Sequence, residues 1–135
     1  MKRALGIDFG DVRIGLALSD LTKTISKPFE TIKYTNLEDL SLQLKVIIEE
    51  KEVDTLVVGI PFNMSGKDTK QTVKVREFVL FIKSIISLPI HLIDERLTSK
   101  EAEKTMHILN IKTGHNKGTI DKIAASIILQ EYLDS

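Results

Sequence analysis

The sequence predicts an α/β fold in which a mixed sheet carries helices on both faces. Two observations lead to this prediction. Residues 4–35 consist of strand-like segments separated by short turns, which predicts an antiparallel start. From residue 36 onward, segments with helically spaced apolar residues alternate with short apolar runs typical of buried strands. The predicted element order is β-β-β-α-β-α-β-α-α, an antiparallel three-strand meander followed by alternating helices and strands.

The composition is that of one soluble globular domain over residues 1–135. Apolar residues make up 42% and charged residues 28%, which argues against disorder. The absence of cysteine excludes disulfides, thiolate zinc sites and cysteine nucleophiles. Nineteen basic and nineteen acidic residues cancel, so the net charge does not indicate a strongly basic nucleic-acid-binding protein.

Nothing in the sequence predicts a membrane partner. No apolar run approaches the ~20 residues of a membrane span. The start, "MKRALGIDFG", has an aspartate where a secretion signal would be apolar. We therefore expect a cytoplasmic protein.

The first three strands are predicted over residues 4–9, 12–19 and 28–35. Gly10 and Asp11 form a two-residue hairpin signal between the first two. One face of the second strand is predicted to consist of Val12, Ile14, Leu16 and Leu18.

Asn36 is a typical N-cap for the first helix. A strand covered on both faces is predicted over residues 55–60, and a short strand begins after Pro89. The apolar residues of the first helix are Leu37, Leu40, Leu44, Ile47 and Ile48. Those of the second helix are Val75, Phe78, Val79, Ile82, Ile85 and Ile86.

Two helices are predicted at the end of the chain. Thr98 and Glu101 form a capping box for a helix that extends to about residue 109. A polar loop over residues 110–118 leads to the last helix, over residues 119–133. The predicted buried face of the last helix is Ile120, Ile123, Ala124, Ile127 and Ile128.

Three acidic residues break the pattern around them. Asp8 lies in the apolar first strand, Glu95 follows the strand "PIHLID", and Asp121 lies in the first predicted turn of the last helix. Ligand sites of α/β proteins form beyond the carboxyl ends of parallel strands. We expect Asp8 and Glu95 to meet there, joined by Asp121 if small residues let the last helix pack closely.

Clustered carboxylates repel one another, and a divalent cation removes that cost. Carboxylate oxygens are the ligands that Mg²⁺ and Mn²⁺ prefer. Two such ions about 3.5–4 Å apart can activate a water and stabilise the leaving oxygen of a phosphodiester. Glycines near Asp8, namely Gly6, Gly10 and Gly15, would admit a sugar-phosphate backbone.

Each acid also has an ordinary structural interpretation. Asp8 could simply precede a turn, Glu95 could pair with Arg96 at the surface, and Asp121 could favour the helix dipole. Only the combination of the three acids supports a metal site.

The motifs "GIDFGDVRIGLALSD", "VVGIPFNMSGK", "DERLTS" and "DKIAASIILQEYL", in this order, resemble the signatures of the YqgF family. Its members are described as pre-16S rRNA nucleases or Holliday junction resolvases. The resemblance spans Gly6 to Leu133. It implies a ribonuclease H-like fold and a divalent-metal nuclease, with Asp8, Glu95 and Asp121 as catalytic and metal-binding residues.

The same resemblance matches Arg13 and Arg96 to the arginines of two family motifs. We expect both to contact substrate phosphates, with a weaker contribution from Lys117. Arg13 could equally pair with a carboxylate. Asp94 matches as well and is interpreted as structural.

The clustered acids and the resemblance together predict a metal-dependent nuclease of structured nucleic acid that acts with Mg²⁺ or Mn²⁺, and the resemblance implies the 5′ end of pre-16S rRNA as its substrate. A DNA junction resolvase and a non-catalytic RNA-binding assembly module are the alternatives. A homodimer is left open. The first motif also resembles the phosphate loop of actin-like ATPases, but those proteins hold nucleotide between two such domains.

Overall fold

The fold is built on a five-stranded mixed sheet. A computed structural model describes residues 2–98 and 117–135. The strands are β1 (Arg3–Phe9), β2 (Arg13–Ser19), β3 (Ser26–Lys33), β4 (Val53–Ile60) and β5 (Ile90–Asp94). The helices are α1 (Leu37–Glu50), α2 (Lys70–Ile85) and α3 (Lys117–Asp134). Residues 99–116, which hold the helix predicted after Thr98 and most of the loop predicted over residues 110–118, lie outside the described residues.

The order of the strands confirms the predicted mixed sheet. They are arranged β3-β2-β1-β4-β5. The first three strands pair antiparallel, whereas β4 runs parallel to both β1 and β5. The carboxyl ends of β1, β4 and β5 therefore meet at one edge of the sheet.

Helices α1 and α2 cover one face of the sheet and enclose the larger core. Asn36 caps α1 as predicted, because its side-chain oxygen accepts a hydrogen bond from the backbone N–H of Asp39 at 2.8 Å. Thr69 and Thr72 form a capping box at the start of α2. Of the apolar residues that predicted α2, Ile85 lies at the end of the helix with 37% of its surface exposed.

Helix α3 covers the opposite face, which confirms helices on both sides. Its buried residues are Ala125, Ile128 and Leu129, packed on Ala4, Ala17 and Val57 of the sheet. The predicted buried face was wrong in part, since Ile120, Ile123, Ala124 and Ile127 are only half-buried. The helix begins at Lys117 rather than residue 119, so Asp121 lies in its second turn.

The first hairpin differs from the predicted two-residue turn. Pairing between β1 and β2 begins with Phe9 opposite Ile14, which leaves a longer connection. Tyr34 binds this connection: its hydroxyl donates to the Gly10 carbonyl, and its N–H donates to the Val12 carbonyl at 3.3 Å. Val12 is consequently 62% exposed rather than part of a strand face.

Candidate active site

Asp8 lies in a row of the sheet where both neighbouring positions are glycines. Gly15 pairs directly with Asp8 across β1 and β2. On the other side, Ile7 is in register with Val58 of β4, so the next position along places Gly59 beside Asp8. A Cβ added at Gly15 or Gly59 would meet atoms of α3, so this row faces that helix. We call these three residues, Gly15, Asp8 and Gly59, the Asp8 row.

The space above Gly15 brings Asp121 close to Asp8. A Cβ at Gly15 would lie 2.0 Å from the Asp121 carbonyl oxygen and 2.7 Å from the Lys122 nitrogen. Helix α3 therefore contacts β2 backbone to backbone. The space above Gly6 is occupied in the same way, by the side chain of Leu129. The prediction that Gly6 and Gly15 admit substrate was wrong, because both admit the last helix instead.

The space above Gly59 holds Glu95. Its Cγ lies 3.1 Å from the position of a Cβ at Gly59. Glu95 begins a 3-10 turn directly after β5, and Asp94 caps this turn by accepting a hydrogen bond from the Arg96 N–H at 2.9 Å. The sequence "DER" thus turns the chain so that its middle residue lies over the sheet while the outer two pair with each other.

The electrostatics of Asp8 connect all three acids. Burial, then the charges of Glu95 and Asp121, raise the pKa of Asp8 from 3.8 to about 8. Burial, followed by the charge of Asp94, also raises the pKa of Glu95. Within the described part of the chain, no side chain donates a hydrogen bond to the carboxylate of Asp8 or Glu95. The protein thus holds two carboxylates whose charged forms it stabilises poorly.

Asp121 differs from the other two acids because the guanidinium of Arg13 pairs with it. The Nε of Arg13 donates to the Asp121 Oδ2, and the two side chains are 32% and 25% exposed. This confirms that Arg13 pairs with a carboxylate, the alternative to direct phosphate contact. Both residues line a cavity of about 230 Å³ at the β1–β2 connection.

The other two predicted cations follow β5 and begin α3. Arg96 pairs with Asp94, with 2.7 Å between Nη2 and Oδ2, and its guanidinium lies 5.5 Å from the centre of the Phe62 ring. The pairing holds the pKa of Asp94 below its ordinary value. Lys117 is the first residue of α3.

Comparison with known proteins decides the family. A sequence profile described as "RuvX: Holliday junction resolvase" matches residues 2–135. The chain belongs to the RuvX family. RuvX is also called YqgF, so the resemblance seen in the motifs is confirmed. Two relatives named "Putative pre-16S rRNA nuclease" support it. The protein of Thermoanaerobacter pseudethanolicus is 44% identical over 98% of this chain and 96% of its own length. That of Roseiflexus sp. is 40% identical over 98% and 94%.

The fold is shared with solved RuvC structures. Thermus thermophilus RuvC in complex with a Holliday junction superposes with a TM-score of 0.62 at 14% identity, over 98% of this chain and 94% of that one. This confirms the ribonuclease H-like fold. Membership of RuvX, a nuclease family, makes the chain a hydrolase that acts on nucleic acid.

For this RuvX protein, the structure brings the predicted acids into one region without joining them around one point. The charges of Glu95 and Asp121 both raise the pKa of Asp8. Yet no three Asp, Glu or His side chains within residues 2–98 and 117–135 are grouped closely enough to hold a metal ion. Sequence reasoning missed Gly59 as a determinant of the site. The signal available was a glycine inside an otherwise apolar strand, which often marks a close approach.

Proposed function

We propose that this RuvX protein is a divalent-metal-dependent nuclease that hydrolyses phosphodiester bonds of pre-16S rRNA. The observation that carries the proposal is that two carboxylates share the Asp8 row: Asp8 lies in it, and Glu95 lies over its neighbour Gly59. Both carboxylates lack hydrogen-bond donors among the described residues, and both have a raised pKa. A protein gains nothing in stability from such a pair, so a functional use is expected.

The donor set suits Mg²⁺ or Mn²⁺, since carboxylate oxygens are the ligands these ions prefer. Asp8 and Glu95 would bind the metal, and Asp121 would join them after leaving Arg13. We propose two ions. When bound, they would supply an activated water and stabilise the leaving oxygen. The protein's own part is to hold the three acids on one side of the sheet and to position the phosphate.

The arginines have different proposed roles. Arg13 lies at the edge of the site and reaches the cavity beside it, so it is placed to contact a substrate phosphate. Arg96 and Lys117 would bind phosphates further along the chain of nucleotides. Arg96 does so from the surface, because 38% of its side chain is exposed while it pairs with Asp94.

The proposed substrate follows from the relatives named for pre-16S rRNA, which match this chain at 40% and 44% identity. The second candidate is a branched DNA junction, because the family profile is described as a Holliday junction resolvase.

We place the activity in the cytoplasm. Among the described segments, no helix has the length and apolar character needed to cross a bilayer.

A cleavage assay tests the proposal. Purified protein is incubated with end-labelled precursor 16S rRNA and with a four-way DNA junction, each in Mg²⁺, in Mn²⁺ and in EDTA. We expect metal-dependent cleavage of the RNA and none in EDTA. Cleavage of the junction alone would support the second candidate, and RNA binding without cleavage in any metal would support an assembly module.

Two variants show whether cleavage comes from the proposed site. Asp8→Asn replaces one carboxylate by an amide of similar size and should lower the cleavage rate at least ~100-fold, the upper end of the ~10–100-fold cost of losing a group that only supports a metal ligand. Asp54→Asn is the matched control, because Asp54 lies near the start of β4, far along the strand from Gly59, with 39% of its side chain exposed and paired with Lys23. Equal activity of Asp8→Asn and wild type would place the chemistry elsewhere.

A further inference from the structure

The ion pair between Arg13 and Asp121 lies at the edge of the proposed metal site. The two residues are 108 positions apart in the chain, and each is about one quarter to one third exposed. A guanidinium and a divalent cation both bind carboxylate oxygens. Arg13 is therefore paired with Asp121, a carboxylate that a metal ion would also use as a ligand.

Asp121 does not need Arg13 for its place in the fold. Its backbone carbonyl is packed against Gly15 at a distance that leaves no room for a side chain there. The start of α3 is fixed further by Thr31, whose hydroxyl donates to the Gly118 carbonyl. The ion pair accordingly determines the charge environment of Asp121 rather than the position of the helix.

Arg13 has space into which it can move. The cavity of about 230 Å³ is lined by Arg13 and Asp121 together with residues 10–12 of the β1–β2 connection. The acid on this connection, Asp11, already has a cation, since Lys74 lies 3.1 Å from it. A phosphate entering the cavity would thus meet Arg13, the cationic side chain among the described residues that line it.

We propose that Arg13 is a positioning residue that exchanges partners: it neutralises Asp121 in the metal-free protein, and yields Asp121 to the metal as it turns to a substrate phosphate. This inference rests on the proposed function. It makes Arg13 a competitor of the metal and a ligand of the nucleic acid, so removing its charge has opposite effects on the two.

Calorimetric titration with Mn²⁺ alone tests the exchange without measuring activity. Arg13→Gln should bind Mn²⁺ about fivefold more tightly than wild type, the ratio expected when a partly exposed ion pair no longer competes. Arg13→Lys, which keeps the charge, should stay within about twofold of wild type. Lys74→Gln removes an equal charge from the Asp11 pair, and as the control it should also change Mn²⁺ affinity less than about twofold.

The Asp121→Asn background separates competition from a general charge effect. There the Arg13→Gln change should alter Mn²⁺ affinity less than about twofold, because no carboxylate remains to compete for. At saturating Mn²⁺, Arg13→Gln should also raise the KM for precursor rRNA. Circular dichroism confirms that each variant is folded.

Three results would overturn the exchange. Mn²⁺ binding that is unchanged or weaker in Arg13→Gln contradicts competition, while metal-dependent cleavage by wild type would leave the proposed function intact. An equal gain in the Asp121→Asn background indicates only a long-range charge effect. If wild-type protein binds no Mn²⁺, the metal-dependent function and the exchange both fail.

Discussion

Gly15 lies directly opposite Asp8 in the β1–β2 pair, and the space left by its missing side chain is filled by the backbone carbonyl of Asp121. One glycine thus fixes the distance between two acids that are far apart in the sequence. Gly59 does the same for Glu95 on the other side of Asp8. The geometry of the site is therefore set by residues that carry no chemical function themselves.

Gly15→Ala should destabilise the protein and disrupt the site together. The new Cβ would lie 2.0 Å from a backbone oxygen, which cannot rotate away, so α3 must shift. We expect a loss of about 1–3 kcal/mol in the free energy of unfolding, as for overpacked cores. Urea denaturation measures it. Val46→Ala, an exposed position of α1, is the control and should change stability by no more than about 0.5 kcal/mol.

Gly59→Ala should separate activity from stability. Here the Cβ would meet side chains rather than backbone, the Cδ1 of buried Ile128 and the Cγ of Glu95, and side chains can change rotamer. We expect a stability loss of about 1 kcal/mol or less, with a fall in cleavage rate of at least ~10-fold because Glu95 is displaced. Unfolding and cleavage are measured on the same preparation. Wild-type cleavage by this variant would show that the position of Glu95 is not critical.

Without metal, wild-type protein should become less stable as the pH rises from about 4 to about 8. The pKa of Asp8 is about 8 in the folded chain and 3.8 when unperturbed, so the folded state holds an extra proton over this interval. Proton uptake by the folded state makes stability fall with rising pH. Urea unfolding in EDTA at pH 5, 6, 7 and 8 measures the trend.

Asp8→Asn should flatten that pH dependence and be the more stable protein at pH 7. At pH 7 the linkage amounts to about 4 kcal/mol, and a partly buried amide without hydrogen-bond partners costs part of it, so a gain of about 1–3 kcal/mol is expected. Glu77→Gln changes an exposed acid of α2 and serves as the control. An Asp8→Asn variant that is less stable than wild type at every pH would contradict the raised pKa.

Saturating Mn²⁺ should abolish most of the same pH dependence in wild-type protein. A bound divalent cation favours ionised Asp8, so the folded state no longer gains from protonation near neutral pH. The melting temperature should rise with Mn²⁺ concentration at pH 7, and Asp8→Asn should show a much smaller rise. Equal stabilisation of both proteins would mean that Mn²⁺ binds elsewhere.

The sequence was informative wherever a local pattern determines a structure. The continuous apolar run of β4 predicted a strand buried on both faces, and Asn36 predicted the start of α1. Both signals depend on residues within a few positions of each other. The alternation of helices and strands predicted a mixed sheet, although not that β4 would lie between β1 and β5 and run parallel to both.

Features set by distant packing were not predictable in the same way. Helix α3 is apolar on several sides, so its periodicity selects no single face, and the buried face is chosen by sheet glycines more than 60 residues away, Gly6, Gly15 and Gly59. The first hairpin looks like a two-residue turn. Its connection is longer because Tyr34 binds the Gly10 and Val12 carbonyls.

The candidate site divides in the same manner. The sequence predicted Asp8, Glu95 and Asp121 as site residues, because each is an acid that breaks a local pattern and matches a family motif. Pairing of Arg13 with a carboxylate remained one of two open alternatives, and Asp121 was not predicted as the partner, because the local sequence does not show which group the guanidinium reaches. The assignment of catalytic and metal-binding roles to these residues stays a prediction for the experiments above.

Helix α3 is the last described element of the chain; it packs over the sheet glycines and carries Asp121. A ribosome synthesising this protein therefore makes Asp8 and Glu95 well before the residue that completes their group. While α3 is still inside the exit tunnel, the nascent chain has no third acid to offer. A chain built in this order can bring Asp121 against Gly15 only after the residues of α3 have been made.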